Sequence, residues 1–376
     1  MADPQQSGPI AVYGATGFTG KLVAAELQRR GVDLVISGRS REKLEALSTQ
    51  LGGVPTVTAS VDDPAALRSL LEPCAAVIAC AGPFTLHGEP VLAAAAETGT
   101  HYIDTTGEQP FMKMVFDRYG AIAERSGAAL MTGMGFDYVP GDLIASVTAE
   151  GMGPLDEIVI AYSVAGFGAT RGTALSALEI VGGGDVQWRD GDWRPSPRSA
   201  NGGSFRFPEP VGERRMLRYP AGEQITVPRH LDTANVRTLL RGMAGPDRLA
   251  PLTTLAMPAL GLAMRTPLRR AIGAGIARMP EGPSEENRRG TRFMVACEAT
   301  AGSRKRRGIV TGSDVCGLTA VTTAEGAVRA ADPAYDLSGA LAPAQAFDPR
   351  DFLASLGWFG VDFEVDALPE PVPATR

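Results

Sequence analysis

Three glycines at three-residue spacing, Gly14, Gly17 and Gly20, constrain the fold of this chain more than any other sequence feature. A short apolar run at residues 10–13 precedes them and a helical pattern follows, which predicts a strand, a tight turn and a helix. Such a turn lets a pyrophosphate approach the backbone and the N–H groups of the helix N-terminus. A glycine turn without a ligand is the alternative. We predict cofactor contacts along the whole turn, at Gly14, Ala15, Thr16, Gly17, Phe18, Thr19 and Gly20.

The end of the second predicted strand, residues 34–37, indicates which dinucleotide would bind. An acidic residue at this place accepts hydrogen bonds from the adenosine ribose and favours NAD, whereas a basic residue accommodates the 2′-phosphate of NADP. The chain has Arg39 here and no acid before Glu42. We therefore predict NADP(H), with contacts from Ser37, Gly38, Arg39 and Ser40. A solvated basic turn that opens the next helix is the alternative.

The third and fourth predicted strands supply further candidates. Residues 56–61 read as a strand that ends at Asp62, which we expect at the adenine edge, and Asp63 before Pro64 is a typical helix N-cap. The fourth strand, residues 76–80, runs into a turn that would lie near the nicotinamide ribose. Its candidate contacts are Cys80, Ala81, Gly82 and Pro83.

Hydride transfer also needs a proton source, for which the sequence offers four candidates. Tyr138 and His87 are the first choices, and Asp137 and Asp142 are the second. Each has a structural alternative: His87 as a surface residue at a helix start, Tyr138 as core packing, and Asp142 as a helix cap. No Gly-x-Ser-x-Gly elbow follows a strand, so a serine hydrolase is not supported.

Composition excludes several classes of function. The net charge of −6 provides no basic field for nucleic acid, and three histidines without a His-x-x-x-His pair predict no metal site. Four cysteines without paired spacing and a polar N-terminus predict a cytoplasmic protein with free thiols. The uncharged run at residues 250–264 is too short for a transmembrane segment. We interpret it as the wall of a hydrophobic substrate pocket, with peripheral membrane contact or a homodimer face as alternatives.

Three local predictions concern the second half of the chain. Residues 166–172 read as a loop, with Thr173 capping a helix over residues 174–181. Residues 291–301 and 307–311 read as a β-hairpin, and the basic run between them reads as a solvated turn. Residues 361–365 read as a final strand.

The sequence resembles the saccharopine dehydrogenase-like oxidoreductases, and most closely the branch called trans-acting enoyl reductases. The matching segments are 13–20 (YGATGFTG), 37–39 (SGR), 81–83 (AGP), 101–108 (HYIDTTGE), 135–142 (GFDYVPGD), 172–176 (GTALS) and 343–348 (PAQAFD). The resemblance implies an α/β protein with a Rossmann-type doubly wound parallel sheet at residues 1–142. It also implies a second α/β domain with a mixed sheet at residues 143–331, for substrate binding or dimerisation, and a segment 332–376 that packs back on the first domain.

The resemblance further implies an NADP(H)-dependent redox step, and we expect an enoyl C=C bond of a hydrophobic acyl or polyketide-type metabolite as the hydride acceptor. An imine reductase or saccharopine-type amino acid dehydrogenase is one alternative. The Gly-x-x-Gly-x-x-Gly spacing and the lack of an arginine cluster for a dicarboxylic amino acid weigh against saccharopine itself. A non-catalytic NADP-binding sensor or synthase partner is the alternative from another class.

Overall fold

The computed structural model describes residues 8–181, 185–197, 199–241 and 268–368, so the apolar run 250–264 lies outside the described residues. Its strands are β1 (Ile10–Tyr13), β2 (Leu34–Gly38), β3 (Thr56–Thr58), β4 (Ala76–Ala79), β5 (His101–Asp104), β6 (Ala129–Met131), β7 (Glu157–Ala165), β8 (Val186–Arg189), β9 (Asp192–Pro195), β10 (Asn201–Arg206), β11 (Glu213–Arg218), β12 (Val236–Arg241), β13 (Arg292–Ala301), β14 (Arg304–Ser313), β15 (Gly339–Leu341) and β16 (Asp362–Val365).

The described α-helices are α1 (Phe18–Arg29), α2 (Arg41–Gln50), α3 (Pro64–Leu71), α4 (Phe84–His87), α5 (Glu89–Thr98), α6 (Gln109–Met114), α7 (Gly120–Ser126), α8 (Val139–Ala149), α9 (Arg171–Val181), α10 (Glu223–Thr226), α11 (Leu268–Ile276), α12 (Glu285–Gly290), α13 (Val315–Ala330), α14 (Pro343–Ala346) and α15 (Pro349–Ser355). A π-helical turn, Val115–Tyr119, joins α6 to α7. Within the described ranges, 3₁₀ turns lie at Val227–Arg229 and Gly357–Phe359.

The first sheet is parallel throughout and has the strand order β15-β6-β5-β4-β1-β2-β3. Strand β1 lies between β2 and β4, which follow it in sequence, so the chain reverses its direction across the sheet at β1. In open α/β sheets the crevice for a ligand opens at this reversal, beyond the carboxyl ends of the strands. The predicted doubly wound α/β fold is confirmed.

Helix α1 packs between this sheet and helix α13. Val23, Ala24 and Leu27 form its buried face, at the spacing that places side chains on one side of a helix. Arg30 of α1 binds Glu325 of α13 at 2.6 Å, and both side chains are largely buried. Helix α13 therefore packs on the first sheet, although its residues fall in the range predicted for the second domain.

The second sheet is mixed and has the order β10-β11-β12-β7-β13-β14-β16. Only the β12–β7 pair is parallel among its described pairs. Helix α8 packs against β13 and β14 and connects the two sheets. The last segment of the chain contributes to both sheets, since β15 pairs with β6 of the first and β16 pairs with β14 of the second.

Two predicted boundaries are corrected by side-chain capping. Strand β3 ends at Thr58 rather than at residue 61, because Ser60 turns the chain by accepting a hydrogen bond from the Asp62 N–H at 3.3 Å. Helix α9 begins at Arg171, and the Thr170 hydroxyl accepts from the Thr173 N–H at 3.0 Å. The capping side chain is therefore Thr170. The predicted cap at Asp63 is confirmed, with its carboxylate accepting from the Ala66 N–H at 3.0 Å.

The basic run after β13 is the start of strand β14 rather than the solvated turn that we predicted, and its last residue, Arg306, is buried while Lys305 is exposed. The hairpin turns at Gly302, where φ is +58°, and β14 begins at Arg304. Arg306 is only 8% exposed. Its guanidinium donates to the carbonyl oxygens of Glu150 and Asp366, both at 2.9 Å. The side chain thus ties the end of α8 to the segment after β16.

Candidate active site

The turn after β1 requires glycine at two of its positions, because a Cβ at Gly14 or Gly20 would lie too close to neighbouring backbone atoms. Gly14 has a φ of +77°, and a Cβ there would lie 3.0 Å from the backbone nitrogen of Ala81. A Cβ on Gly20 would lie 2.3 Å from the Gly14 carbonyl oxygen. The first glycine therefore allows close contact with the loop after β4, and the third lets α1 pack onto the turn. Gly17 is exposed at the tip.

The N-terminus of α1 offers unpaired backbone donors. Gly17 is its N-cap and provides no side-chain hydrogen bond. The N–H groups of Phe18, Thr19 and Gly20 in the first turn have no intrahelical acceptor. A helix of 12 residues adds the positive end of its dipole at this point. The turn therefore has the geometry and the field that an anionic pyrophosphate requires.

The ends of β1, β2 and β3 are neighbours at the edge of the first sheet where we predicted the adenosine contacts. The Ser37 side chain is fully buried, and its hydroxyl has no partner among the described residues. Arg39 is exposed beside it. Burial raises the pKa of Tyr13, Arg39 lowers it and Asp62 raises it, so the charges of both residues reach the Tyr13 hydroxyl. The predicted residues Arg39 and Asp62 therefore lie at the same edge.

Ser40 is the N-cap residue of helix α2. Its hydroxyl caps α2 by accepting a hydrogen bond from the Lys43 N–H at 3.5 Å. The hydroxyl proton remains available for an acceptor at the N-terminus of this helix.

The connection after β4 and the first turn of α4, together residues 80–85, are held by Glu108, which the sequence analysis did not select. We call this segment the β4 loop. The Glu108 carboxylate accepts from the backbone N–H groups of Phe84 at 2.9 Å and Thr85 at 2.8 Å, and also from the Thr85 hydroxyl. The Ser176 hydroxyl of α9 donates to the same carboxylate at 2.8 Å. Glu108 is 1% exposed, so these donors replace the water that the carboxylate would otherwise need.

Asp137 lies in the turn between β6 and α8, beside this loop. Its side chain is exposed, yet the surrounding protein desolvates the carboxylate and raises its pKa to about 6. A Cβ on Gly107 would lie 4.0 Å from the Asp137 Oδ2 atom, so the carboxylate is next to the residue that precedes Glu108.

The other predicted proton donors have different surroundings. Tyr138 is fully buried and donates its hydroxyl proton to the Gly107 carbonyl oxygen at 2.7 Å. Burial, with smaller effects from Tyr219 and Asp137, raises the pKa of Tyr138 well above its usual value. His87 is exposed at the end of α4.

Asp142 connects elements of the fold. It is fully buried, and its Oδ1 atom lies 3.0 Å from His230 Nε2. Its Oδ2 atom accepts from the Ala344 N–H at 2.9 Å. The side chain thus links α8 to α14, and both oxygens are occupied by protein groups.

A buried polar cluster lies where the second sheet packs on α8. Glu223 is fully buried and accepts a hydrogen bond from the Tyr162 hydroxyl, while its Oε2 atom has no partner among the described residues. Burial raises the pKa of Glu223 to about 8. A Cβ on Gly141 would lie 2.1 Å from Glu223 Oε1, so the pair packs directly on the backbone of α8.

Two further properties bound the chemistry of the described residues. Within the ranges 8–181, 185–197, 199–241 and 268–368, His, Cys, Asp and Glu side chains form no group of three that could hold a metal ion. The helices of these same ranges are all too short or too polar to cross a membrane.

Burial and the nearby Asp104 raise the pKa of the Cys80 thiol to about 12, which keeps this predicted contact residue protonated.

The parallel sheet, the glycine turn and the buried unpaired Ser37 hydroxyl define a Rossmann-type dinucleotide-binding protein. The sequence comparisons make the class specific. Residues 10–131 match the family model for the saccharopine dehydrogenase NADP binding domain. The first domain therefore matches that domain family, and the prediction of NADP as cofactor is confirmed at the level of the domain family.

Curated relatives agree with this assignment over part of their length. A candidate trans-acting enoyl reductase of Mycobacterium tuberculosis is 37% identical over 184 residues, which cover 46% of this chain and 44% of the relative. A trans-acting enoyl reductase of Mycobacterium ulcerans is 36% identical over 149 residues, which cover 38% and 36%. The matched region spans less than half the length of these relatives.

The whole fold also has a counterpart among solved structures. Apo saccharopine dehydrogenase (L-Glu forming) from Saccharomyces cerevisiae superimposes with a TM-score of 0.61 over 96% of this chain and 100% of that one. The two sequences are only 15% identical, so the likeness concerns the fold.

Proposed function

We propose that this chain is an NADP-dependent oxidoreductase whose cofactor lies across the carboxyl edge of the first sheet. The proposal is carried by the turn Gly14–Gly20, where close-packed glycines and free N–H groups meet the requirements of a pyrophosphate. Arg39 would neutralise the 2′-phosphate, and Ser37 would use its unpaired hydroxyl near the ribose. The remaining predicted contacts would line the cofactor at Gly38, Ser40, Asp62, Cys80, Ala81, Gly82 and Pro83.

When bound, the cofactor supplies a hydride from its nicotinamide ring. The β4 loop would lie against the nicotinamide ribose, and Asp137 would face the reacting carbon from the turn between β6 and α8. A carboxylic acid whose pKa is about 6 holds a proton in a useful fraction of molecules near neutral pH. We therefore assign the proton-donor role to Asp137. Tyr138 would position the backbone at Gly107, and His87 at the exposed end of α4 is the alternative donor.

For the substrate, we propose an activated C=C bond of a hydrophobic acyl or polyketide-type metabolite. The names of the two mycobacterial relatives support this choice. Imine reduction is the alternative, because an acid in the same place would serve a C=N bond equally well. Enoyl thioesters and cyclic imines would be tested in parallel at the same concentration. The loss of NADPH absorbance would measure the turnover of each substrate class. Binding of NADPH without turnover of any substrate would favour a sensor or a synthase partner.

The cofactor assignment is tested by titrating the protein with NADPH and NADH while nicotinamide fluorescence is recorded. Wild-type protein should bind NADPH more tightly, and Arg39→Asp should reduce that preference by at least about 10-fold, since it replaces a phosphate partner by a like charge. Arg125→Asp is the matched control, because Arg125 lies at the end of α7, which packs at the opposite edge of the sheet. An unchanged preference in Arg39→Asp would contradict the assignment.

A further inference from the structure

Helix α9 follows a strand of the second sheet, yet it is linked to the first domain at two places. At its start, Arg171 lies 3.6 Å from Glu281, and Glu281 in turn binds Lys21 of α1 at 2.8 Å, so this link is indirect. Five residues further on, the Ser176 hydroxyl donates directly to Glu108 at 2.8 Å. The first contact leads to the residue after the glycine turn, and the second is beside the β4 loop. Helix α9 is therefore joined to both segments that we assign to the cofactor.

The second contact is built differently from the first. Arg171, Glu281 and Lys21 are each more than a third exposed, and ion pairs of this kind contribute little. Glu108 is buried, and each of its two carboxylate oxygens accepts two hydrogen bonds. Three of these bonds come from the β4 loop, and only the bond from Ser176 comes from α9.

Ser176 also borders the loop itself. A Cβ on Gly82 would lie 3.7 Å from the Ser176 Oγ atom. The hydroxyl therefore reaches the segment that we assign to the nicotinamide ribose, and the carboxylate of Glu108 joins it to the backbone of Phe84 and Thr85. Any shift of α9 away from the first domain would remove one of the bonds that fix this loop.

We propose that Glu108 and Ser176 are positioning residues through which α9 sets the β4 loop, and with it the nicotinamide ring, for hydride transfer. The proposal rests on the proposed function, because the loop matters in this way only if NADPH binds beside it. Neither residue donates the proton or contacts the reacting carbon. Their effect is on the fraction of bound cofactor that is held in the reactive geometry.

Ser176→Ala isolates this effect. The change leaves the bonds from Phe84 and Thr85 to Glu108 in place and removes only the bond from α9. We expect kcat to fall by about 10-fold, the size expected for loss of one hydrogen bond to a charged group, while the KM for NADPH changes little. Ser176→Thr keeps the hydroxyl and should restore most of the activity.

Thr173→Ala is the matched control, because it removes a hydroxyl of α9 that bonds to Thr170 rather than to Glu108. Glu108→Gln should act on both sides, since its NH₂ group must face a backbone N–H of either Phe84 or Thr85. If Ser176 acts only through the packing of α9, Ser176→Ala and Thr173→Ala will lower kcat equally and Ser176→Thr will not restore it. That result would overturn the proposal.

A readout that needs no substrate separates this inference from the proposed function. The fluorescence lifetime of protein-bound NADPH reports how firmly the nicotinamide ring is held. We expect a shorter lifetime in Ser176→Ala, at nearly unchanged affinity, and a wild-type lifetime in Ser176→Thr. An unaltered lifetime in Ser176→Ala, with NADPH bound, would refute the positioning role alone. Failure of wild-type protein to bind NADPH would refute the proposed function and this inference together.

Discussion

The buried carboxyl group of Glu223 makes the stability of this protein depend on pH in a direction that can be measured. Its pKa is raised from an ordinary value of 4.5 to about 8 because the side chain is fully buried. Between these two pH values the folded state binds a proton that the unfolded state has released. The free energy of unfolding must therefore fall as pH rises through this window.

The size of the effect follows from the same pKa difference. Linkage gives a slope on the order of 1 kcal/mol per pH unit for one such group, or about 2 kcal/mol between roughly pH 6.5 and 8.5. This upper part of the window is the informative one, because Asp104 and Asp137, with pKa values of about 6, have lost their protons there already.

Glu223→Gln provides the comparison. The amide oxygen can still accept from the Tyr162 hydroxyl, so the packing on α8 is retained and only the titration is removed. We expect the variant to have a nearly flat profile above pH 6.5 and to be more stable than wild type at pH 8.5, by calorimetry at a series of pH values. Glu72→Gln, at an exposed position, should parallel wild type. Parallel profiles for Glu223→Gln and wild type would refute the reasoning.

Three further predictions concern single side chains. If Asp137 is the proton donor, kcat/KM should fall as pH rises through about 6, and Asp137→Asn should lose this inflection and about 100-fold in rate; an unmoved inflection would exclude the residue. Gly14→Ala should weaken NADPH binding by about 10-fold in the fluorescence titration, because of its positive φ and its contact with Ala81, whereas Gly357→Ala, in open space, should not. Arg306→Met should lower the free energy of unfolding by about 2 kcal/mol in urea melts, since it leaves the buried Thr148 carbonyl oxygen and two partly buried carbonyl oxygens without this donor; a loss below about 0.5 kcal/mol would contradict this.

Local signals in the sequence were sufficient for the first sheet and for the turn after β1. The glycine spacing predicts the turn after β1 because each glycine is required by a contact within a few residues or with the adjacent strand. Asp63 before Pro64 predicts the start of α3 for the same reason, since a cap and its helix are neighbours in the chain. The position of Arg39 could be predicted because a residue that directly follows β2 must lie at the carboxyl edge of the sheet in this fold.

Contacts between distant segments could not be found in this way. Glu108 and Ser176 are 68 residues apart and belong to elements on different sides of the crevice. The basic run at Arg304 to Arg306 reads as a solvated turn until the partners of Arg306 are known, and these lie more than 50 residues away on both sides. Only the assembled fold shows that the guanidinium is buried.

The carboxylates that follow β5 and β6 look alike in the sequence, but the structure distinguishes those that bind backbone N–H groups from one that could act as a general acid. Asp104, Glu108 and Asp142 are all buried, and backbone N–H groups donate to each of them. A carboxylate that satisfies backbone donors holds the chain in place, and moving its proton would break those bonds. Such a group serves poorly as a general acid.

Asp137 is the exception in this part of the described chain. Desolvation alone accounts for its raised pKa, with no hydrogen bond from a described residue to offset it, and its side chain is exposed. The group can therefore gain and lose a proton without disturbing the turn that carries it. The sequence analysis placed Asp137 behind Tyr138 and His87 as a proton donor. Because the Tyr138 hydroxyl is bonded to Gly107 in the interior, we propose Asp137 ahead of Tyr138.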